Sequence, residues 1–410
     1  MAMQNEPKIS RRYLMFGFWL LAAGLISCQP AQPPSIRIGV IHSLTGNMAI
    51  SEKPLVDAVR LAVEEINAAG GLLGRPVEMV VADSRSSPEI AAAEAERLIQ
   101  EQHVSALFAC WTSACRIALK PVVEKHRHLL FYPVQYEGLE ESPNIIYTGS
   151  APNQQIVPGI YWALQHLGKR LYLIGSDYVF PRVANLIITD LAKASGAEIL
   201  AERYQPLGNT DFSQEIQEIQ RLRPDVVINT VNGDSNLHLF SAMRDAGLSD
   251  QAIVSFSVAE GELNAQPEVH LNAHYAVWSY FQSVDSDSNR RFVKAYQQRY
   301  GSDRPTSDPV EAAYTGVKLW AQAVKEVGSD DVEQVNFAIV RQSIEAPSGI
   351  LAVDPGTRHL WKNVKIGKAN AHGNFDIIYD SKNALRPAPY PLYRSRREWR
   401  ELAKQLRKSP

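Results

Sequence analysis

From Ile36 onward the chain alternates short apolar, β-branched runs with amphipathic helical stretches, stops, and then does so again. Ile36–Ile41, Val77–Ala82, Val104–Ala109, Leu129–Phe131 and Ile145–Thr148 read as strands. Between them, Leu55, Val59, Ala62, Val63 and Ile66 fall on one face of a helix that ends at Ala69-Gly70-Gly71. Pro88–Gln100 and Ser113–His126 read as further helices, with Pro121 expected to kink the latter or end its first section. The second run predicts helices over Gln154–Leu167, Pro181–Ala194, Asp211–Leu222 and Leu237–Ala246, and strands at Leu171–Ile174, Ile199–Tyr204, Val226–Thr230 and Ile253–Phe256. Such alternation implies parallel sheets with right-handed crossovers. Two runs imply an α/β chain of two Rossmann-like lobes joined by a hinge, and 410 residues suit two cores better than one.

The partition expected is residues 36–150 plus about 283–342 for the first lobe, and 151–282 plus about 343–393 for the second. Helices near Asn289–Tyr300, Val310–Lys325 and Val332–Arg341 return to the first lobe. Short strands and turns around Gly349–Tyr379 lie on or near the second. Residues 394–410 form a basic tail, read as a solvated terminal helix or as a segment lying against an anionic membrane.

Residues 1–28 read as a targeting segment. Lys8, Arg11 and Arg12 precede an apolar stretch, Leu14–Ile26, too short for a comfortable membrane span. Leu25-Ile26-Ser27-Cys28 resembles a lipobox, in which Cys28 would become the lipidated first residue, and residues 29–35 would be a tether. A plain cleaved signal with a chance cysteine is the alternative. Ser10–Met15 also looks like a twin-arginine signal. The other cysteines, Cys110 and Cys115, invite a disulfide in an exported protein; two small half-buried side chains packing without a bond is the reading adopted, with pairing left open.

A net charge of −2 argues against nucleic acid as the main partner. The histidines are scattered without ligand spacing, so neither a metal nor a cofactor is expected. No nucleophile elbow or Gly-rich phosphate loop is present, and an enzyme is not expected. Chemistry collects instead in two segments, Cys110–Cys115 and Phe131–Gly138, each following a strand-like run. Strand ends of open α/β sheets are where ligands bind. Aromatic rings, hydroxyls, an amide and a carboxylate there suit a small, flat, polar, neutral molecule.

These segments also carry a family likeness. With His42–Gly46, Met48–Glu52, Glu64–Gly71, Ala151–Gln155, Gly175–Pro181, Asn232–Asn236 and Glu345–Gly349, the chain resembles type I periplasmic solute-binding proteins of ABC transporters, in their urea- and short-amide-binding branch. The likeness runs from about Ile36 to Pro391. It implies a periplasmic or membrane-anchored protein that closes two lobes on urea or a short amide and delivers it to permease and ATPase subunits. It further implies that Trp111 is an aromatic wall, Ser113 a small hydroxyl contact, and Tyr132 and Tyr178 enclosing tyrosines. Gln135, Tyr136 and Glu137 would line the cleft, with Asn232 and Asp234 opposite. Phe180 stands where that branch commonly has Tyr, and Val134 where its amide sensors have Thr.

Urea carries four N–H donors and one acceptor, so its pocket needs mainly acceptors. Glu137, Asp234, Gln135 and tyrosine hydroxyls would accept, while Ser113 and the amides of its turn would donate. Each has a plainer reading: core aromatics for Trp111 and Tyr132, a helix cap for Ser113, solvated carboxylates for Glu137 and Asp234, a turn residue for Asn232. From other classes, a sensor controlling a signalling partner and an amide hydrolase remain alternatives.

Overall fold

The computed structural model describes Met1 and residues 34–406, so the targeting segment and Cys28 lie outside the described residues. The first run builds β1 (Ile36–His42), α1 (Ala49–Ala68), β2 (Val77–Asp83), α2 (Pro88–Gln100), β3 (Leu107–Ala109), α3 (Ser113–Lys125), β4 (Leu130–Tyr132) and β5 (Ile145–Tyr147). All strands pair in parallel, in the order β2-β1-β3-β4-β5. The Ser87 hydroxyl caps α2 ahead of Pro88. Pro121 does not end α3: it sits on the exposed side, while Cys115, Arg116, Leu119 and Val123 hold the helix down along the buried one. Burial of that face outweighs the loss of a single backbone donor.

The second run builds α4 (Ile156–His166), β6 (Arg170–Ser176), α5 (Val179–Ala194), β7 (Glu198–Gln205), α6 (Ser213–Leu222), β8 (Val226–Thr230), α7 (Ser235–Asp245), β9 (Ile253–Ser255), α8 (Glu260–Ala265) and β10 (His274–Trp278). The chain then returns as α9 (Asp287–Tyr300), α10 (Asp308–Val327) and α11 (Val332–Ala338), followed by β11 (Ser343–Ala346), β12 (Gly349–Val353) and β13 (Leu360–Trp361). It ends with β14 (Lys365–Ala369), β15 (Phe375–Asp380) and α12 (Arg396–Leu406). The second sheet runs β15-β14-β10-β9-β8-β6-β7, with β14 and β15 antiparallel at one edge.

Two placements differ from expectation. Residues 343–361, expected with the second lobe, bury Ala346, Leu351, Val353 and Leu360 in the same cluster as α1, α10 and the first sheet; the return to the second lobe begins only after Trp361. The basic tail is not a solvated helix. Trp399 and Ala403, four residues apart, are buried in the second lobe's cluster. The Trp399 indole donates to the Pro391 carbonyl, and Arg394 grips Asp190 through two nitrogens at 2.7 Å. Among the described residues no helix is long and apolar enough to cross a membrane.

Three crossings join the lobes, after β5, after β10 and after β13, and one buried cluster ties them together. Asp308, at the start of α10, accepts from the backbone N–H groups of Ser279 and Tyr280 on the second crossing, both at 3.0 Å. Its other oxygen lies 3.5 Å from the Lys362 ammonium on the third. Lys362 in turn donates to the Thr148 carbonyl on the first at 3.0 Å. Ser150 and Ser279 hydroxyls pair directly at 2.8 Å. Both charged groups are fully buried, so each depends on the other for compensation.

Lys362→Met should leave Asp308 charged and partnered only by backbone, lowering stability by about 3 kcal/mol. Guanidinium unfolding checks this, and Asp308→Asn in the same chain should restore part of the loss.

Candidate functional site

The site is assembled at the carboxyl ends of β1, β3 and β4 and faces the starts of α5 and α7. Beyond β3, Cys110 takes a left-handed φ of 72° and is disulfide-bonded to Cys115. The expectation of unbonded packing is therefore corrected: the Cα atoms stand 5.6 Å apart, within bonding reach, and both residues are buried. Trp111, Thr112 and Ser113 lie within this small ring. Thr112, not Ser113, caps α3, accepting from the Cys115 N–H.

Ser113 is thereby released to a buried network. Its hydroxyl donates to Glu137 Oε2 and accepts from Arg116 Nη1 at 2.9 Å. Arg116 also donates to Glu137 Oε1 at 2.9 Å and Glu140 Oε1 at 3.0 Å. Its guanidinium lies 5.0 Å from the Tyr132 ring centre and 4.4 Å from that of Tyr136. Burial opposes its charge, but Glu140 and Glu137 outweigh burial and raise its pKa well above the usual value. Ser113, expected as a donor, has its proton committed to Glu137, so what remains to it is an acceptor lone pair. Both oxygens of Glu137 are likewise engaged.

Other expected residues divide clearly. The Trp111 indole N–H donates across the cleft to Asn232 Oδ1 at 3.1 Å. Its ring also borders a cavity of about 350 Å³ between the start of α1, α8 and residues 303–310. The Tyr132 hydroxyl donates to the Trp111 carbonyl at 2.6 Å and holds that loop. Gln135 reaches the second lobe, donating to the Phe256 carbonyl at 2.8 Å and to the Ser257 hydroxyl at 3.0 Å. Tyr178 is half-buried, and burial, followed by the Tyr132 and Glu137 charges, raises its pKa well above the ordinary value. The Asn232 and Asp234 backbone amides donate to Ser176 Oγ and to the Asn47 carbonyl. Tyr136 points elsewhere: it bonds His359 Nε2 at 2.6 Å and stacks with Tyr147 and His359 inside the first lobe. Phe180 is a buried member of the second lobe's core.

Lobe closure is direct. Gly233 has a φ of 67°, and a Cβ there would meet the Asn47 carbonyl oxygen at 2.6 Å and Met48 Sδ at 2.9 Å. Ser51 on α1 donates to Glu262 on α8 at 2.7 Å. Among the described residues, His42 Nε2, Asn47 Oδ1, Gln135 Oε1 and Asp234 Oδ1 are buried without a hydrogen-bond partner. No group of three or more His, Cys, Asp or Glu side chains could hold a metal among those residues.

Sequence reasoning missed Arg116, Glu140, Glu52 and Ser257. Arg116 had a signal, standing one turn after Ser113 and on the buried stripe with Leu119 and Val123. Glu52 joins His42 and Ser43: its Oε2 lies 3.0 Å from His42 Nδ1 and its Oε1 accepts from the Ser43 hydroxyl at 2.8 Å.

The family described as periplasmic binding protein domain matches residues 36–396. Leu/Ile/Val-binding protein homolog 8 of Brucella abortus is 24% identical over 369 residues, covering 82% of this chain and 85% of that protein. A shorter stretch of 116 residues is 33% identical to limonene hydroxylase of Geobacillus stearothermophilus, and the chain spans 21% of that protein's length. A solute-binding protein of an ABC transporter from Rhodopseudomonas palustris, solved with 3,4-dihydroxybenzoic acid, superposes with a TM-score of 0.77 at 21% identity, covering 86% of this chain and 98% of that one. The branched-chain amino acid transporter substrate-binding protein LivJ of Streptococcus pneumoniae, solved with isoleucine, gives 0.74 at 22% identity, covering 86% and 100%. At these identities the structures share the fold.

Two predictions follow from the site's packing. Replacing Cys110 and Cys115 by Ser should lower stability by about 2 kcal/mol, the entropy of so small a ring, in guanidinium unfolding. The second concerns His359, which burial pushes down to about 4, with the Arg116 charge acting the same way. An unfolded imidazole takes its proton near 6.5, so this contribution is complete above about 6.5 and lost as pH falls through about 4, roughly 3 kcal/mol in all. Glu260, raised to about 8 by burial, acts with the opposite sign between its unfolded value and 8. The difference between the parent chain and His359→Gln therefore isolates the histidine: the variant should lose less stability between pH 6.5 and 4.

Proposed function

This chain belongs to the periplasmic binding protein domain family, and on that premise we propose that it is the extracytoplasmic solute-binding component of an ABC importer, closing on urea or a short amide. One observation carries the choice of solute: most of the buried polar atoms left without partners at the cleft can accept, and the buried Arg116 guanidinium is already paired with Glu137 and Glu140. His42 Nε2, Asn47 Oδ1, Gln135 Oε1 and Asp234 Oδ1 await donors. Ser113 adds an acceptor lone pair.

A carboxylate ligand is disfavoured by the same inventory. Arg116 faces two carboxylates, Glu137 and Glu140, and Glu52 adds a third buried acid. An anion entering this cleft would meet net negative charge at low dielectric. The amino acid and aromatic acid bound by the two solved relatives both carry a carboxylate; a planar, neutral, N–H-rich molecule does not. Trp111, Tyr132 and Tyr178 are proposed as its walls, with Ser113, Gln135, Asn232 and Asp234 as polar contacts. Glu137 acts by holding Ser113 and Arg116. Tyr136 buttresses the first lobe. Cys28 is proposed as the lipid anchor, with incorporation of labelled palmitate by the parent chain but not by Cys28→Ser as its check.

Calorimetric titration with urea, formamide, acetamide, leucine and 4-hydroxybenzoate tests the reading. Saturable binding of urea or a short amide is expected, with no response to leucine or 4-hydroxybenzoate. Binding of either acid with no response to urea or the amides would refute it.

A further inference from the structure

His42 is the last residue of β1, at the carboxyl ends of the first sheet's strands, and the loop after it touches the second lobe: the Asn47 carbonyl accepts from the Asp234 N–H at 3.3 Å. The ring is fully buried. Its Nδ1 lies 3.0 Å from Glu52 Oε2 on the first turn of α1. A carboxylate there acts as acceptor, so Nδ1 carries a proton, and in the tautomer with a single ring proton Nε2 presents a bare lone pair. Glu52 is itself fixed. Oε2 also accepts from the Ser43 N–H at 2.9 Å, and Oε1 accepts from the Ser43 hydroxyl at 2.8 Å. Ser43 Oγ pairs onward with Ser84 Oγ at 2.9 Å. The carboxylate is thus held against rotation, and the tautomer of His42 is set by the fold.

Nothing in the protein bonds the resulting acceptor among the described residues. A buried imidazole nitrogen left unpaired is costly unless a partner arrives. We propose that His42 is a ligand-binding residue, its Nε2 accepting an N–H of the solute, and that Glu52 is the positioning residue that fixes its tautomer. This rests on the reading of the solute as a neutral N–H donor. It assigns the pair the role of discriminating such donors from molecules that offer only acceptors at that point, because two facing lone pairs would leave both groups unpaired.

The test uses the full chain, with urea as probe. In protein labelled with 15N-histidine, the His42 Nε2 resonance, assigned by its loss in His42→Gln, should shift when urea is added. Titration should show urea affinity falling about tenfold or more in His42→Phe, with His42→Gln, which keeps an acceptor at that position, retaining more than His42→Phe. If the parent chain binds urea while the His42 resonances stay fixed, or His42→Phe binds as tightly as the parent, the inference is overturned and the functional reading stands. If the parent chain binds neither urea nor a short amide, the functional reading falls and takes this inference with it. The resonance measurement needs no variant to bind, so a His42→Phe chain that fails to fold leaves the proposal open to refutation.

Discussion

The buried Asp308–Lys362 pair is the contact on which the two-lobed arrangement turns. Each crossing strand alone would be a short extended segment with little to hold its angle. Asp308 fixes the second crossing through two backbone amides, and Lys362 carries that constraint to the first through Thr148 and to the third through its own backbone. Removing either charge strands the other in an interior that cannot solvate it. The three crossing strands are therefore bound to one another through one buried cluster.

A second buried charge cluster does for the cleft what the first does for the joint. Arg116 sits between two carboxylates and between two tyrosine rings. It fixes Ser113 on one side and the loop bearing Glu137 and Glu140 on the other. The two segments that the sequence marks out, Cys110–Cys115 and Phe131–Gly138, are thus one structural unit, welded by a residue that belongs to neither. The disulfide closes one of them on itself, so the Trp111 indole that reaches Asn232 projects from a small, pre-formed ring.

Much of this was legible beforehand and some was not, for physical reasons that can be named. Strand and helix alternation marked most elements of both runs, because apolar period and glycine stops are local. β10 went unseen: His274 and Tyr275 interrupt its apolar run, and its place between β9 and β14 depends on long-range pairing. The same holds for residues 343–361, whose side of the molecule is decided by burial beside α10. The tail misled because its charges outnumber Trp399 and Ala403, although those two residues define its buried face. At the site, residue types were read well and their partners poorly. Ser113 and Glu137 were read as a hydroxyl and a carboxylate lining the cleft; that they bond each other depends on Arg116, whose role no local pattern states. Phe180 looked like a missing hydroxyl in the cleft; its burial in the second lobe's core means that its ring serves packing there.

Where Gly233 meets the Asn47 carbonyl and the Met48 thioether, the two lobes approach so closely that no Cβ fits between them. Such a contact behaves as a hard stop. On the proposed reading it sets the gauge of the closed cleft, so that solutes would be sorted by thickness as well as by polar chemistry. On that reading a flat solute would let the stop engage, and a bulkier one would hold the lobes apart and leave the Trp111–Asn232 bond unmade.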